Sequence, residues 1–176
     1  VAGNGEGGLL ALHAAALDQR ISGALVSGYF DSRQGLWREP IYRNLFGILR
    51  EFGDAELASL VHPRALLIEH SSPPEVTGPP AVRANRAGGA APGKISLPDL
   101  ASVQAEAARA GKLTGRAPEV FHGNGGATTG PGSVRSLEAL LKAAGATVRV
   151  EFPPDQPLGD ARKEFSADDR QRRQVK

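Results

Sequence analysis

The chain has no cysteine and no methionine among its 176 residues, and only 5% of them are aromatic. Without cysteine there is no disulfide, no thiolate nucleophile and no thiolate metal ligand, and the redox compartment stays open. The four histidines, at 13, 62, 70 and 122, include no pair at i, i+4, and no Asp or Glu completes a ligand set beside them. The pattern therefore carries no zinc site. Net charge is small as well, at +2. The pI of about 9.2 comes from arginines scattered at wide spacing, not a stripe interleaved with aromatics, which argues against a nucleic-acid partner. No apolar run approaches the ~20 residues that span a bilayer, and there is no basic-then-apolar leader. A soluble chain with no membrane partner is the expectation, with the compartment, cytoplasmic or exported, undecided.

What is present is 40% hydrophobic residues over a length that suits one domain with a buried core. The chain opens on Val1 in mid-strand and closes on the charged run Asp168-Asp169-Arg170-Gln171-Arg172-Arg173-Gln174-Val175-Lys176. It reads as a piece of a longer frame, with the remainder of its own chain as an expected partner.

The first ten residues are the most informative. Val-Ala-Gly3-Asn4-Gly5-Glu6-Gly7-Gly8-Leu9-Leu10 reads as a strand end, a glycine-packed turn and a helix start. Such a turn carries a nucleophile or cradles a phosphate. Leu9, Leu10, Leu12 and the alanines that follow predict a buried helix to about Leu17, and residues 21–30 a buried parallel strand, completing a βαβ unit. Leu45, Phe46, Ile48, Leu49 and Phe52 recur at helical spacing over 42–52, and Asp54 is placed to cap a second helix ended by His62-Pro63. Residues 65–69 are another buried strand. The Pro- and Gly-rich stretch 71–96 reads as a long loop or insertion. A helix over 97–112, a strand over 119–122, a glycine loop over 123–132 and a helix over 133–144 stopped by Gly145 follow. Residues 146–152 predict one more strand, and the tail a solvent-facing helix. This divides the chain into a core part at 1–70, the insertion at 71–96, a helix-strand-helix part at 97–145 and an extension at 146–176. The fold class is α/β, a mostly parallel sheet with crossover helices forming part of a domain.

The turn, then Ala15-Ala16-Leu17-Asp18-Gln19-Arg20-Ile21, then Val26-Ser27-Gly28-Tyr29-Phe30, then Leu60-Val61-His62-Pro63-Arg64-Ala65-Leu66-Leu67-Ile68 resemble, in order and spacing, the C-terminal half of bacterial α/β-hydrolases of the dienelactone hydrolase and acetyl xylan esterase type. The resemblance covers residues 1–70 well, extends weakly to about 145 and places nothing beyond. It implies a serine esterase acting on carboxylic or acetyl esters, carbohydrate esters among them, with no cofactor. Its triad runs nucleophile, acid, histidine along the chain.

Carried over by position, the nucleophile falls on Gly5, which has no side chain to form an acyl intermediate. The acid falls near Pro74, where Glu75 is the closest carboxylate, and the histidine falls in the 123–126 loop, with His122 about three residues early. The Glu6 backbone N–H takes the oxyanion-donor position. The expectation is a hydrolase-like module with a degenerate triad, a pseudoenzyme whose catalytic status stays open. A second reading is a hydrolase using Glu6, Glu75 and His122. A third, from another class, is a dinucleotide-binding domain using Gly3-x-Gly5-x-x-Gly8 and Asp31.

The plain structural readings stand beside these. A carboxylate at Glu6 suits a helix N-terminus, and His13 suits a satisfied boundary histidine. His70 stands at a strand exit within range of the site. Tyr29, Trp37 and Tyr42 suit core and lid packing, and Arg170, Arg172 and Arg173 a solvated face.

Overall fold

The computed structural model describes residues 1–79, 81–85, 92–146 and 149–151. Of the predicted strand at 146–152, residues 146 and 149–151 are described and form no strand, the other three lying outside the described residues; the predicted tail helix lies wholly outside them. Four strands, β1 (Ala2–Asn4), β2 (Gly23–Ser27), β3 (Ala65–Glu69) and β6 (Glu119–Phe121), form one parallel sheet in the order β1-β2-β3-β6. The chain is thus α/β. Each crossover carries a helix: α1 (Glu6–Leu17) between β1 and β2, α3 (Asp54–Val61) between β2 and β3, and α4 (Leu100–Thr114) between β3 and β6. A last helix, α5 (Val134–Ala143), follows β6.

Side chains along a strand alternate between faces, and the core divides accordingly. Ala24, Val26, Leu66 and Ile68 pack with α1, α3 and α4, whereas Leu25, Leu67 and Phe121 meet Leu137 and Leu140 of α5. Both faces of the central strands are therefore covered, which is why β2 and β3 read as uninterrupted apolar runs. The helix expected over 97–112 is α4, shifted to 100–114: Asp99 caps it by accepting from the Ser102 N–H, and Ser133 caps α5 by accepting from the Ser136 N–H.

Three expectations are corrected. α1 is not buried all round: Ala11, Leu12 and Ala15 are, but Leu10 and Leu17 are 66% and 82% exposed. The reason is topological, because β1 is the sheet's edge and nothing among the described residues flanks it. The single helix expected over 42–52 is instead a 3₁₀ turn (Ile41–Arg43) and a one-turn helix α2 (Ile48–Glu51), separated by Gly47 in the left-handed region at φ 80°. Its apolar side chains Leu45, Phe46, Leu49 and Phe52 face outward. Asp54 does not cap α3 but is its first residue; Gly53 is the N-cap, and its N–H donates to Glu56 at 2.7 Å. Within the 71–96 insertion, β4 (Val76–Thr77) and β5 (Lys94–Ile95) pair antiparallel and close the base of the loop.

Candidate functional site

Parallel sheets bind ligands beyond the carboxyl ends of their strands, and the glycine turn lies at that end. Gly5 stands between β1 and α1 at φ 54°, ψ −114°. Few residues with a Cβ adopt this backbone without strain. A Cβ here would also come within 2.8 Å of the Pro74 ring. Gly3 serves a different need, since a Cβ there would overlap the Gly7 carbonyl where the turn doubles back. The Gly5 N–H is tied to the Ser27 carbonyl at 2.9 Å. The first-turn amides of Glu6 and Gly7 have no carbonyl four residues back in the helix to bond.

The Glu6 side chain is engaged. Both carboxylate oxygens accept from Arg43 Nε at 3.0 Å, and Oε1 also accepts from the Tyr42 hydroxyl at 2.7 Å. That hydrogen bond raises the Tyr42 hydroxyl's pKa above its ordinary value. From Arg43 a chain of charges continues inward. Arg43 Nη1 donates to Glu39, Arg33 Nη1 donates to the same carboxylate at 3.1 Å, and Arg33 Nε meets buried Asp54 at 3.1 Å. Both guanidinium groups lie over the Tyr29 ring, at 4.4 Å for Arg33 and 5.5 Å for Arg43. Tyr29 packs in the core, and burial, followed by the charge of Asp54, holds its hydroxyl well above the usual range.

Asp54 receives only the Asp31 N–H and Arg33, both on Oδ2, while Oδ1 is buried without a partner. Burial raises its pKa to about 7, opposed by the nearby Arg33 charge.

Glu75 and His122 lie in loops that leave the same end of the sheet. Glu75 is exposed, directly after the Pro74 that packs on Gly5, and takes part in no hydrogen bond or ion pair among the described residues. His122 is exposed, and its Nδ1 lies 2.8 Å from the Gly123 carbonyl oxygen. It leaves β6, three strands from β1, a separation of about 14 Å at the usual strand spacing. Among the described residues no hydrogen bond joins Gly5, Glu75 and His122 into a relay. Asp31, on the loop after β2, has its Oδ1 occupied by the Ser32 N–H and the Ser102 hydroxyl.

The central position at the strand ends belongs to His70 and Ser71. His70 is buried, with Nε2 3.0 Å from the Pro98 carbonyl oxygen and Nδ1 left without a partner. The fully buried Ser71 Oγ also has none. A cleft of about 340 Å³ is lined by Tyr29, Asp31, Arg33, Arg38, Lys94 and Asp99 among others, and neither His70 nor Ser71 lines it. A larger hollow of about 660 Å³ lies at the opposite end of the sheet, around Arg64, Ala65 and Glu119. It is remote from the turn.

Glu69 was not legible as anything beyond a strand residue. It is only 1% exposed, and its carboxylate accepts four hydrogen bonds: Ser27 Oγ at 2.6 Å and Gly132 N–H at 2.8 Å on Oε2, Ser133 N–H at 2.9 Å and Ser136 Oγ at 2.7 Å on Oε1. Burial pushes its pKa up, but the hydrogen bonds from Ser27, Ser133 and Ser136 outweigh this and hold it below the ordinary glutamate value. Its role is to clamp the N-terminus of α5 onto β2 and β3, where the helix dipole also favours a negative charge. No charge partner in sequence announces it.

Among the described residues no three His, Asp or Glu side chains converge as metal ligands, and no helix is long and apolar enough to cross a membrane. Comparison with protein-family models, with curated proteins and with solved structures gives no match to this chain.

Proposed function

We propose that this chain is the nucleophile-turn part of an α/β-hydrolase-type domain that has lost serine chemistry, a non-catalytic module of an esterase-like protein. The observation that carries the reading is Gly5, held at φ 54°, ψ −114° between a parallel strand and a helix, the position at which such a domain presents its nucleophile. A glycine there supplies neither a hydroxyl nor room for one beside Pro74. The surroundings support the same view: the one acid in the turn, Glu6, is paired with Arg43 and Tyr42, and His122 bonds its own loop. A serine or carboxylate acting without a positioned base lacks the activation that acyl transfer requires. The alternative, ester hydrolysis by Glu6, Glu75 and His122, needs these groups freed from their present partners and brought together. Esters, carbohydrate esters included, are the ligand class that the resemblance implies.

A fluorophosphonate probe tests the reading. The chain is expected to stay unlabelled and to leave a short aryl ester unhydrolysed. Covalent labelling of any serine together with ester turnover overturns it.

A further inference from the structure

The segment 33–52 is turned inside out relative to an ordinary surface segment. Its charged residues Arg33, Glu39 and Arg43 face inward and are consumed by one another, by Glu6 and by Asp54. Its large apolar residues face solvent: Trp37, Ile41, Tyr42, Leu45 and Leu49 are exposed, and Phe46 is 94% exposed. The ion pairs fix this orientation, because rolling the segment over would bury the apolar side chains only by leaving Asp54 and two arginines unpaired. At aromatic and aliphatic side-chain sizes these exposures amount to on the order of 700 Å². Summed over the segment, that is above the ~300–600 Å² of the largest apolar patch on a typical monomer and approaches the ~800 Å² that each partner contributes to a standard interface.

We infer that this face is a self-association surface, on which a second copy of the chain packs about a two-fold axis. The composition matches what concentrates binding energy at interfaces, aromatic side chains with arginine: Arg38 lies over the Trp37 ring at 4.9 Å. The choice of a second copy rests on area and charge. The exposed residues of the segment carry both signs, Arg38 and Arg50 with Glu51, so that an isologous contact can set a cation of one copy against the anion of the other. An anionic lipid surface or an acidic partner would leave Glu51 facing like charge. The surface adjoins the Gly5 turn through the Tyr42–Glu6 hydrogen bond, but it does not rest on the loss of serine chemistry, and the outcome of the probe experiment does not bear on it.

The experiment is sedimentation velocity on the 176-residue chain and two variants, Phe46→Glu and Leu17→Glu, each altering a side chain that is at least 82% exposed in the monomer. The wild type is expected to sediment as a dimer in the micromolar range. Phe46→Glu should weaken association by about 30-fold or more, the loss typical of a central aromatic anchor, while Leu17→Glu, on the separate apolar stripe of α1, leaves it unchanged. Because the chain has no cysteine, Leu45→Cys provides a second readout, a disulfide-linked dimer on mild oxidation. A wild type that is monomeric throughout the micromolar range, or a dimer abolished by Leu17→Glu and indifferent to Phe46→Glu, overturns the proposal.

Discussion

Replacing Glu69 by glutamine removes one charge and almost no volume, yet it should be among the most damaging single changes in this chain. Each carboxylate oxygen takes two donors, Ser27 and Gly132 on one side and Ser133 and Ser136 on the other. A carboxamide can accept on one side only. Whichever way it is turned, its NH₂ faces a backbone N–H and a serine hydroxyl in a site 1% exposed to solvent, and only the hydroxyl can turn to accept from it. The buried N–H left without an acceptor costs about 1–3 kcal/mol, and the lost charge at the start of α5 adds up to ~1 kcal/mol. A total of about 1–4 kcal/mol is expected, a sizeable part of the ~5–15 kcal/mol that stabilises an ordinary domain. Urea unfolding followed by circular dichroism reads the loss, and amide exchange should show α5 opening first, because the clamp joins that helix to the sheet. A double-mutant cycle with Ser27→Ala should return a coupling of about 0.5–3 kcal/mol. The pH dependence follows from the same site. Since the folded-state pKa is held below its ordinary value, the stabilisation is present above the unfolded-state pKa and is lost as pH falls through the folded one. Acid should therefore destabilise the wild type more than the variant. A loss below about 1 kcal/mol, with α5 protection unchanged, would refute the clamp.

Asp54 gives the opposite pH sign. Its carboxyl is raised to about 7 by burial, so its contribution is fully present below the unfolded value of 3.8 and is lost as pH rises through neutrality. Asp54→Asn should gain on the wild type between about pH 4 and 7, by on the order of a few kcal/mol. A variant that falls further behind as pH rises would show that the Arg33 ion pair outweighs burial. Gly5→Ser should lower stability by roughly 1–3 kcal/mol for its backbone, with an added cost from the Pro74 contact, and should not restore probe labelling. Wild-type stability in chemical unfolding, or acylation of the introduced hydroxyl, would contradict this.

What the amino-acid sequence determined by itself is local. The glycine turn, the uninterrupted apolar runs of β2 and β3, the helices that start at Asp99 and Ser133 and the Gly145 stop are all set by neighbours within a few residues, so they can be read along the chain. The parallel α/β architecture follows from the order of these signals. The site is another matter. Glu69 meets donors 42 and 67 residues away, Glu6 meets Arg43 at a distance of 37, and Asp31 meets Ser102 at 71. No periodicity encodes such pairs. The apolar spacing at 42–52 signalled amphipathicity without saying which side is inward, and that was decided by Arg33 and Arg43 finding Asp54 and Glu6 on the first turns of two other helices. In the same way, Leu10 and Leu17 of α1 are as apolar as its buried residues, and only the place of β1 at the sheet edge leaves them uncovered. Burial is a property of what lies across the fold, and a charge far off in sequence outweighs the local pattern because leaving it buried and unpaired costs more than exposing a phenylalanine.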